Sequence, residues 1–343
     1  MFVCDLGIVI AATIASYLGI LLFRMWSESR SIVDIPNERS SHSVPTPRGG
    51  GLIIVIVCLA SYLVITTYSG KSFSWGYFAG ATLVAAVSWL DDLYSIRFEA
   101  RFFVHLISAL LLVFSSGVSF VSGQADTALN PILSWTVTGL MVIWIVWLIN
   151  AYNFMDGIDG IAGLQAIVAA IGFYVAAYLL NINDIRPFLL VVAGTSAGFL
   201  IQNWQPAKVF MGDVGSAFLG FTFAALPFLF GTNRSTSGAF LLPISLFFLW
   251  PFVFDTLFTL ISRIFARKRF WEAHRQHLYQ RMVIGGRSHA SVALLYGAAC
   301  ALTTTAALLT FKVSGNFVIL LIFSTIAVSV GLLTLAYRKK KLT

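Results

Sequence analysis

The chain has 343 residues, 58% of them hydrophobic and only 10% charged, with 30 phenylalanines and a formal net charge of +8. A soluble domain carries roughly a quarter charged residues, so this balance excludes one and points to an integral membrane protein. The apolar residues form continuous runs, which also excludes a closed β-barrel, whose strands would alternate polar and apolar positions.

Taken in chain order, eleven apolar runs are expected to be membrane-spanning helices: 6–23, 50–67, 75–90, 102–118, 132–149, 161–180, 187–204, 216–230, 239–262, 290–310 and 317–337. The expected fold is therefore all-α, a polytopic membrane helical bundle forming one domain over 1–343. Its longest interruptions, 24–49 and 263–289, are only loop-sized. The first run is preceded by Asp5 and by no Lys or Arg, so it is expected to stay as a helix and not to be a cleaved leader. Cys4, Cys58 and Cys300 are scattered singly, as small apolar fillers are.

Of the 22 Lys and Arg residues, all but Lys71, Arg186, Arg234 and Lys312 fall in the loops on one side. Basic residues accumulate on the cytoplasmic side, which predicts an N-out, C-in topology. The net charge is then mostly a topology signal that also suits anionic membrane lipid, and it gives no support to a nucleic-acid partner.

On that map every unusual polar motif lies on the cytoplasmic side: SHSVPTPRGGG (41–51), WLDDLYSIRFEAR (89–101), NAYNFMDGIDG (150–160), KVFMGDVGS (208–216) and ARKRFWEAHRQHLYQR (266–281). Asp91 and Asp92 are adjacent like charges that need a cation or a wet cleft. Asp156 and Asp159 are spaced i, i+3, which on a helical turn puts both on one side. Asp213 stands between glycines, whose backbone bends tightly around a ligand. Asp255 lies deeper, in the ninth run, where a carboxylate is costly unless paired, and reads as structural. If the acids on this face converge, a divalent cation is the natural compensation, and Mg²⁺ suits them better than zinc or calcium because it uses few carboxylates together with water and phosphate oxygens.

The second, sixth and eighth runs begin just after PTPRGGG, DGIDG and GDVGS, so their N-terminal amides are expected to face phosphate, with Ser216 capping the eighth. Metal-holding acids beside phosphate-holding amides suit a diphosphate and Mg²⁺. The last loop adds seven Lys and Arg with His274 and His277. Membrane anchoring explains ARKR (266–269) but not HRQHLYQR, where histidine adds little to anchoring at neutral pH.

DIPNERSSHSVPTPRGGG, WLDDLYSIRFEAR, NAYNFMDGIDGIAG, FMGDVGS and HRQHLYQR resemble, in the same order, the motifs of the polyprenyl-phosphate N-acetylhexosamine-1-phosphate transferase family, over about residues 34–281. The resemblance implies a bacterial inner-membrane enzyme that moves a sugar 1-phosphate from a UDP-N-acetylhexosamine to undecaprenyl phosphate and releases UMP. It implies that Asp91 and Asp92 lie near lipid phosphate and metal, and that Asn153, Asp156 and Asp159 lie beside the nucleotide sugar. Asp213, with Asp92 as a further ligand, would bind Mg²⁺, for which Mn²⁺ could substitute. Phe210 would stack on uracil, His277 would be the essential histidine with Arg275 beside it, and His42 and Arg48 would lie near the nucleotide. His274 and Arg281 join them as candidate substrate contacts, and a homodimer is compatible. The separated histidines of HRQHLYQ, and Arg97 as the first basic residue after the acid pair, favour the branch that starts O-antigen or related surface polysaccharides.

The chemistry expected is phosphoryl transfer by direct attack of the lipid phosphate on the β-phosphorus, since a phosphate monoester with a second pKa of about 6 needs no strong base. An ion-coupled transporter is the alternative, but its carboxylates belong near the bilayer midplane. A CDP-alcohol phosphatidyltransferase is excluded because its Asp-Gly-x-x-Ala-Arg signature is absent after Asp156.

Overall fold

A computed structural model describes residues 2–30, 32–34, 44–69, 73–116, 131–230, 237–269, 274–311 and 316–338. Among them, thirteen helices follow in order: α1 Phe2–Ser29, α2 Gly51–Ser69, α3 Trp75–Tyr94, α4 Phe98–Ser115, α5 Pro131–Met155, α6 Ile161–Leu179, α7 Arg186–Asn203, α8 Gly212–Phe230, α9 Ser237–Phe248, α10 Trp250–Phe265, α11 Leu278–Ile284, α12 His289–Leu309 and α13 Asn316–Tyr337. A two-residue antiparallel pair, β1 Val33–Asp34 with β2 Thr46–Pro47, precedes α2. The protein is a polytopic membrane helical bundle.

Over its described residues each of the eleven apolar runs is helical, and among those residues eight helices are long and apolar enough by themselves to cross a bilayer. Helix α3 carries Asp91 and Asp92 in its last turn, and α7 runs from Arg186 to Asn203, so both are more polar at their ends. The ninth run differs from expectation: it is two helices, α9 and α10, broken at Leu249. Pro251 in the first turn of α10 accounts for the break, because its ring and missing N–H are best accommodated there.

Helix α8 is the axis of the bundle. It is buried almost all round, packs against α2, α3 and α5, and joins its neighbours through contacts such as Phe221 stacked on Tyr77 and Phe223 on Phe173. A helix apolar on every side has no face to show water and belongs at a core. Helix α10 is the inverse of a soluble amphipathic helix. Asp255, Thr256, Thr259 and Arg263 form its buried stripe, while Leu257, Ile261, Ile264 and Phe265 are exposed. That pattern fits a helix whose outer face meets hydrocarbon.

Candidate active site

The site is assembled at one end of the bundle from the last turns of α3 and α5, the first turns of α4 and α8, and the segment before α2. At its centre is Asp213, the second residue of α8. Arg48 Nη2 donates to Asp213 Oδ1 at 2.7 Å, and Arg101 Nη1 and Asn153 Nδ2 donate to Oδ2 at 3.0 Å each. Arg48 Nε also bonds Asp92 Oδ1 at 2.8 Å, and Arg101 bonds Asp91 Oδ2. Two guanidinium groups thus bridge three carboxylates, and Asn153 is itself fixed by the Ser216 hydroxyl at 2.8 Å.

Asp92 has a second task. Its two oxygens accept the backbone N–H groups of Asp213 at 2.9 Å and Val214 at 3.0 Å, so a side chain of α3 caps the N-terminus of α8. The approach is close enough to require glycine at 212. Its φ is +76°, and a Cβ there would lie 2.6 Å from Asp92 Oδ2. The expected capping by Ser216 does not occur, since α8 starts at Gly212 and Ser216 is one turn further on. Nor do the glycine-rich amides face an open phosphate site. Those of Gly49 and Gly50 bond the Phe210 carbonyl at 3.2 and 2.9 Å, that of Gly51 bonds Met211 at 2.9 Å, and Gly160 donates to Asn203 at 2.9 Å. These bonds pin the half-buried Phe210 beside Arg48, with which it forms a parallel bridge.

Asp156 and Asp159 do not share a helical face. Helix α5 ends at Met155 and α6 begins at Ile161, so both acids lie in the intervening loop. Asp156 is within electrostatic reach of Asp213, Arg48 and Asp92, and its carboxylate accepts no hydrogen bond from a described residue. Burial, and then Asp213, push its pKa well above the usual carboxylate range. Asp159 belongs elsewhere: Oδ2 accepts the Ala207 N–H at 3.2 Å, and Oδ1 lies 3.3 Å from His289 Nδ1, which ties the loop before α8 to the start of α12.

A second centre lies on the other side of the end of α5. The His277 ring is buried, with Nδ1 3.1 Å from Asp255 Oδ1. Asp255 also accepts the N–H groups of Leu278 and Tyr279 at 2.9 and 3.1 Å, the Tyr296 hydroxyl at 2.6 Å and the Thr259 hydroxyl at 3.2 Å. The two centres meet through consecutive residues. Asn153 faces Asp213, while the Phe154 ring lies 6.3 Å from His277 and the Phe154 carbonyl accepts the Tyr279 hydroxyl at 3.0 Å.

His277 also lines a cavity of about 380 Å³ between α4, α5 and α10, walled by Phe98, Phe102, Val146 and Trp147. Its polar lining includes Asn150, Arg263, His274 and His277. His274 is 5.0 Å from His277 ring to ring. Burial, then the neighbouring His277 and Arg263, depress its pKa to about 4, so at neutral pH it is an uncharged hydrogen-bonding group. Arg275 is half-buried on the approach to α11, within electrostatic reach of Tyr279. Arg281 turns away from the acids: its Nε bonds the Gln276 carbonyl and its guanidinium lies over Tyr337, 4.7 Å from the ring centre. His42 lies outside the described residues.

The ion pairs of Asp91, Asp92 and Asp213 among the described residues are made with Arg48 and Arg101, two cations for three carboxylates, with Asp156 a further acid within electrostatic reach. Among the described residues no three acidic, histidine or cysteine side chains are already gathered as a closed metal cage. An all-oxygen set in which one acid, Asp156, accepts no hydrogen bond from a described residue fits Mg²⁺, which takes few protein ligands and fills its shell with water and phosphate oxygens.

Residues 74–231 match the family model described as "Glycosyl transferase family 4". A decaprenyl-phosphate N-acetylglucosaminephosphotransferase of Mycobacterium tuberculosis (strain ATCC 25618 / H37Rv) is 30% identical over 317 residues, covering 83% of this chain and 77% of that protein. The chain belongs to glycosyl transferase family 4. A "probable undecaprenyl-phosphate N-acetylglucosaminyl 1-phosphate transferase" of Bacillus subtilis (strain 168) is 29% identical over 300 residues, 84% of this chain and 81% of that protein. A phospho-N-acetylmuramoyl-pentapeptide-transferase of Listeria monocytogenes is also 29% identical, but over 199 residues that cover 54% of this chain. The family segment holds Asp91, Asp92, Arg101, Asn153, Asp156 and Asp213, whereas Arg48, Asp255 and His277 lie outside it.

Proposed function

We propose that the protein transfers an N-acetylhexosamine 1-phosphate from its UDP-linked form to undecaprenyl phosphate, releasing UMP and forming an undecaprenyl-diphospho-sugar. The observation that carries this reading is a polar cluster centred on Asp213 placed one residue of α5 away from an apolar cavity that His277 lines. A soluble nucleotide sugar and a lipid-borne phosphate need that pairing of environments. The relatives' printed substrates, polyprenyl phosphates and N-acetylglucosamine phosphate, agree with it.

In this reading the cavity between α4, α5 and α10 takes the first isoprene units, and His277 with Arg263 holds the acceptor's phosphate. Phe210 and Arg48 flank the nucleotide. Asp213, with Asp92 or Asp91, would hold Mg²⁺, or Mn²⁺ in its place, and the ion supplies charge neutralisation on the diphosphate. A phosphate oxygen of the acceptor attacks the β-phosphorus, the bond to the UMP oxygen breaks, and UMP leaves with the electron pair. Arg101 and Arg48 hold Asp91, Asp92 and Asp213 in one arrangement before substrate arrives, so little reorganisation accompanies the reaction.

In this reading the end of the bundle that holds the site lies on the cytoplasmic face of a bacterial inner membrane, which the one-sided Lys and Arg distribution supports. The spacing of HRQHLYQ favours a role in starting O-antigen or related surface polysaccharide. A transporter reading is disfavoured because the acids sit at helix ends at one end of the bundle. The test is to incubate purified protein with undecaprenyl phosphate, Mg²⁺ and a panel of UDP-N-acetylhexosamines, and to weigh the lipid product. A mass gain of one N-acetylhexosamine phosphate with release of UMP is expected, and solute uptake without a lipid product would reject the reading.

A further inference from the structure

Asp255 is fully buried in α10, and the chemistry above does not call on it. A carboxylate in a membrane bundle is costly unless several donors reach it. Here five do, from the ring and backbone of the 277–279 segment and from Thr259 and Tyr296. The two backbone N–H groups reach different oxygens, and they belong to the first residues of α11. The same carboxylate therefore sets both the start of α11 and the side chain that immediately precedes it.

We propose that Asp255 is the positioning residue of His277, holding its ring with the proton on Nδ1 so that the Nε2 lone pair is presented to the acceptor's phosphate, where it accepts the hydrogen bond of a P–OH group. The inference rests on the proposed function for its substrate. A carboxylate oxygen accepts and does not donate, so a bare Nδ1 lone pair 3.1 Å from Asp255 Oδ1 would be repelled, and Nδ1 must be the protonated nitrogen. Nε2 makes no hydrogen bond to a described residue, and the ring lines the apolar cavity. The other titratable and charged groups around the ring are Arg263 of α10, His274 and Arg275 before α11, Tyr279 of α11 and Tyr296 of α12. Among the described residues, Asp255 supplies the carboxylate bonded to the ring. The Phe154, His274 and Tyr279 rings pack about the imidazole and restrict its tilt. Asp255 does not touch substrate in this scheme; it fixes which nitrogen of His277 does.

The test is a double-mutant cycle in detergent-purified full-length protein, with kcat and both KM values measured beside thermal unfolding. Asp255→Asn is expected to lower kcat about 100-fold, the scale of a misplaced proton-transfer or anion-binding histidine, with KM for the UDP-sugar changed by less than about 2-fold. In a His277→Ala background the same change is expected to cost less than about 3-fold, because the group it positions is gone. An equal loss with and without His277, or a rise in the UDP-sugar KM that matches the fall in kcat, would overturn the inference. Should Asp255→Asn not fold, Asp255→Glu is compared across the same two backgrounds under the same criteria. Turnover by the unaltered chain tests the function itself, so the two failures are distinct.

Discussion

Asp92 of α3 accepts both of its backbone hydrogen bonds from the first turn of α8, at Asp213 and Val214, while the same carboxylate holds Arg48. A residue expected to serve metal and lipid phosphate is therefore also a structural clasp between two helices. Its side chain is 1% exposed, so loss of the charge leaves both Arg48 and two helix amides without their partner. Asp92→Ala is expected to cost about 3 kcal/mol of stability, the scale of a broken buried ion pair. Asp92→Asn keeps one acceptor oxygen and is expected to fall between it and the unaltered protein. Thermal unfolding in detergent gives the order, and turnover is expected to be lost in both.

Arg101 bridges Asp91 and Asp213, which are far apart in sequence. Arg101→Ala releases like charges toward each other, and kcat/KM is expected to drop about 100-fold, as when a charge-positioning group at a phosphoryl-transfer site is removed. Arg101→Lys restores the charge without the fork and is expected to recover part of that loss. Steady-state kinetics on the two variants check this, and equal losses would count against the bridging role.

Gly157 carries a packing constraint. A Cβ at that position would collide with the Tyr279 hydroxyl oxygen, and Tyr279 is fully buried. Gly157→Ala is expected to destabilise the protein by about 1–3 kcal/mol, the usual range for overpacking. Tyr279→Phe removes the crowding oxygen along with its bond to Phe154, so the double variant is expected to be less impaired than the sum of the singles. Unfolding midpoints of the four proteins measure the coupling.

Asp156 predicts a pH dependence of definite sign. Its folded-state pKa is raised by burial and by Asp213, so between the unfolded carboxylate value of about 3.9 and the raised value the folded protein binds the extra proton. Its contribution to stability is fully present below that window and is lost as pH rises through it. Without divalent ions, the unfolding temperature of the unaltered protein is expected to fall relative to Asp156→Asn as pH is raised from 4 toward neutrality. Mg²⁺ at neutral pH should reverse the trend, by about 2.7 kcal/mol at 100 times its dissociation constant. The reversal should be absent in Asp213→Asn, and EDTA should abolish turnover.

Most of the fold was legible because a membrane helix must hide its backbone within an apolar run, and each such run is helical over its described residues. The break at Leu249 was hidden because Pro251 lies inside an unbroken apolar stretch, where hydropathy alone does not register a lost N–H. In the site, adjacent acids and glycine-flanked Asp213 identified themselves by their cost. Arg101 did not, since it counted only as a topology charge and nothing in local spacing pairs it with Asp213. Asp255 reads as structural from sequence, although the four-residue spacing of Asp255, Thr259 and Arg263 marks a buried polar stripe. The glycine-rich amides misled because the chain's own carbonyls and Asp92 satisfy them, a tertiary match that no local motif displays.

The inward stripe of α10 bears on biosynthesis. Four of the five groups that satisfy Asp255 are contributed by residues 277, 278, 279 and 296, which leave the ribosome after α10 has been made. Until they arrive, a lone acid in hydrocarbon opposes insertion of this segment. Helix α10 is therefore expected to settle at its final depth only when α11 and α12 dock on it, and a nascent chain halted before Tyr296 is expected to leave the segment open to quality-control proteolysis.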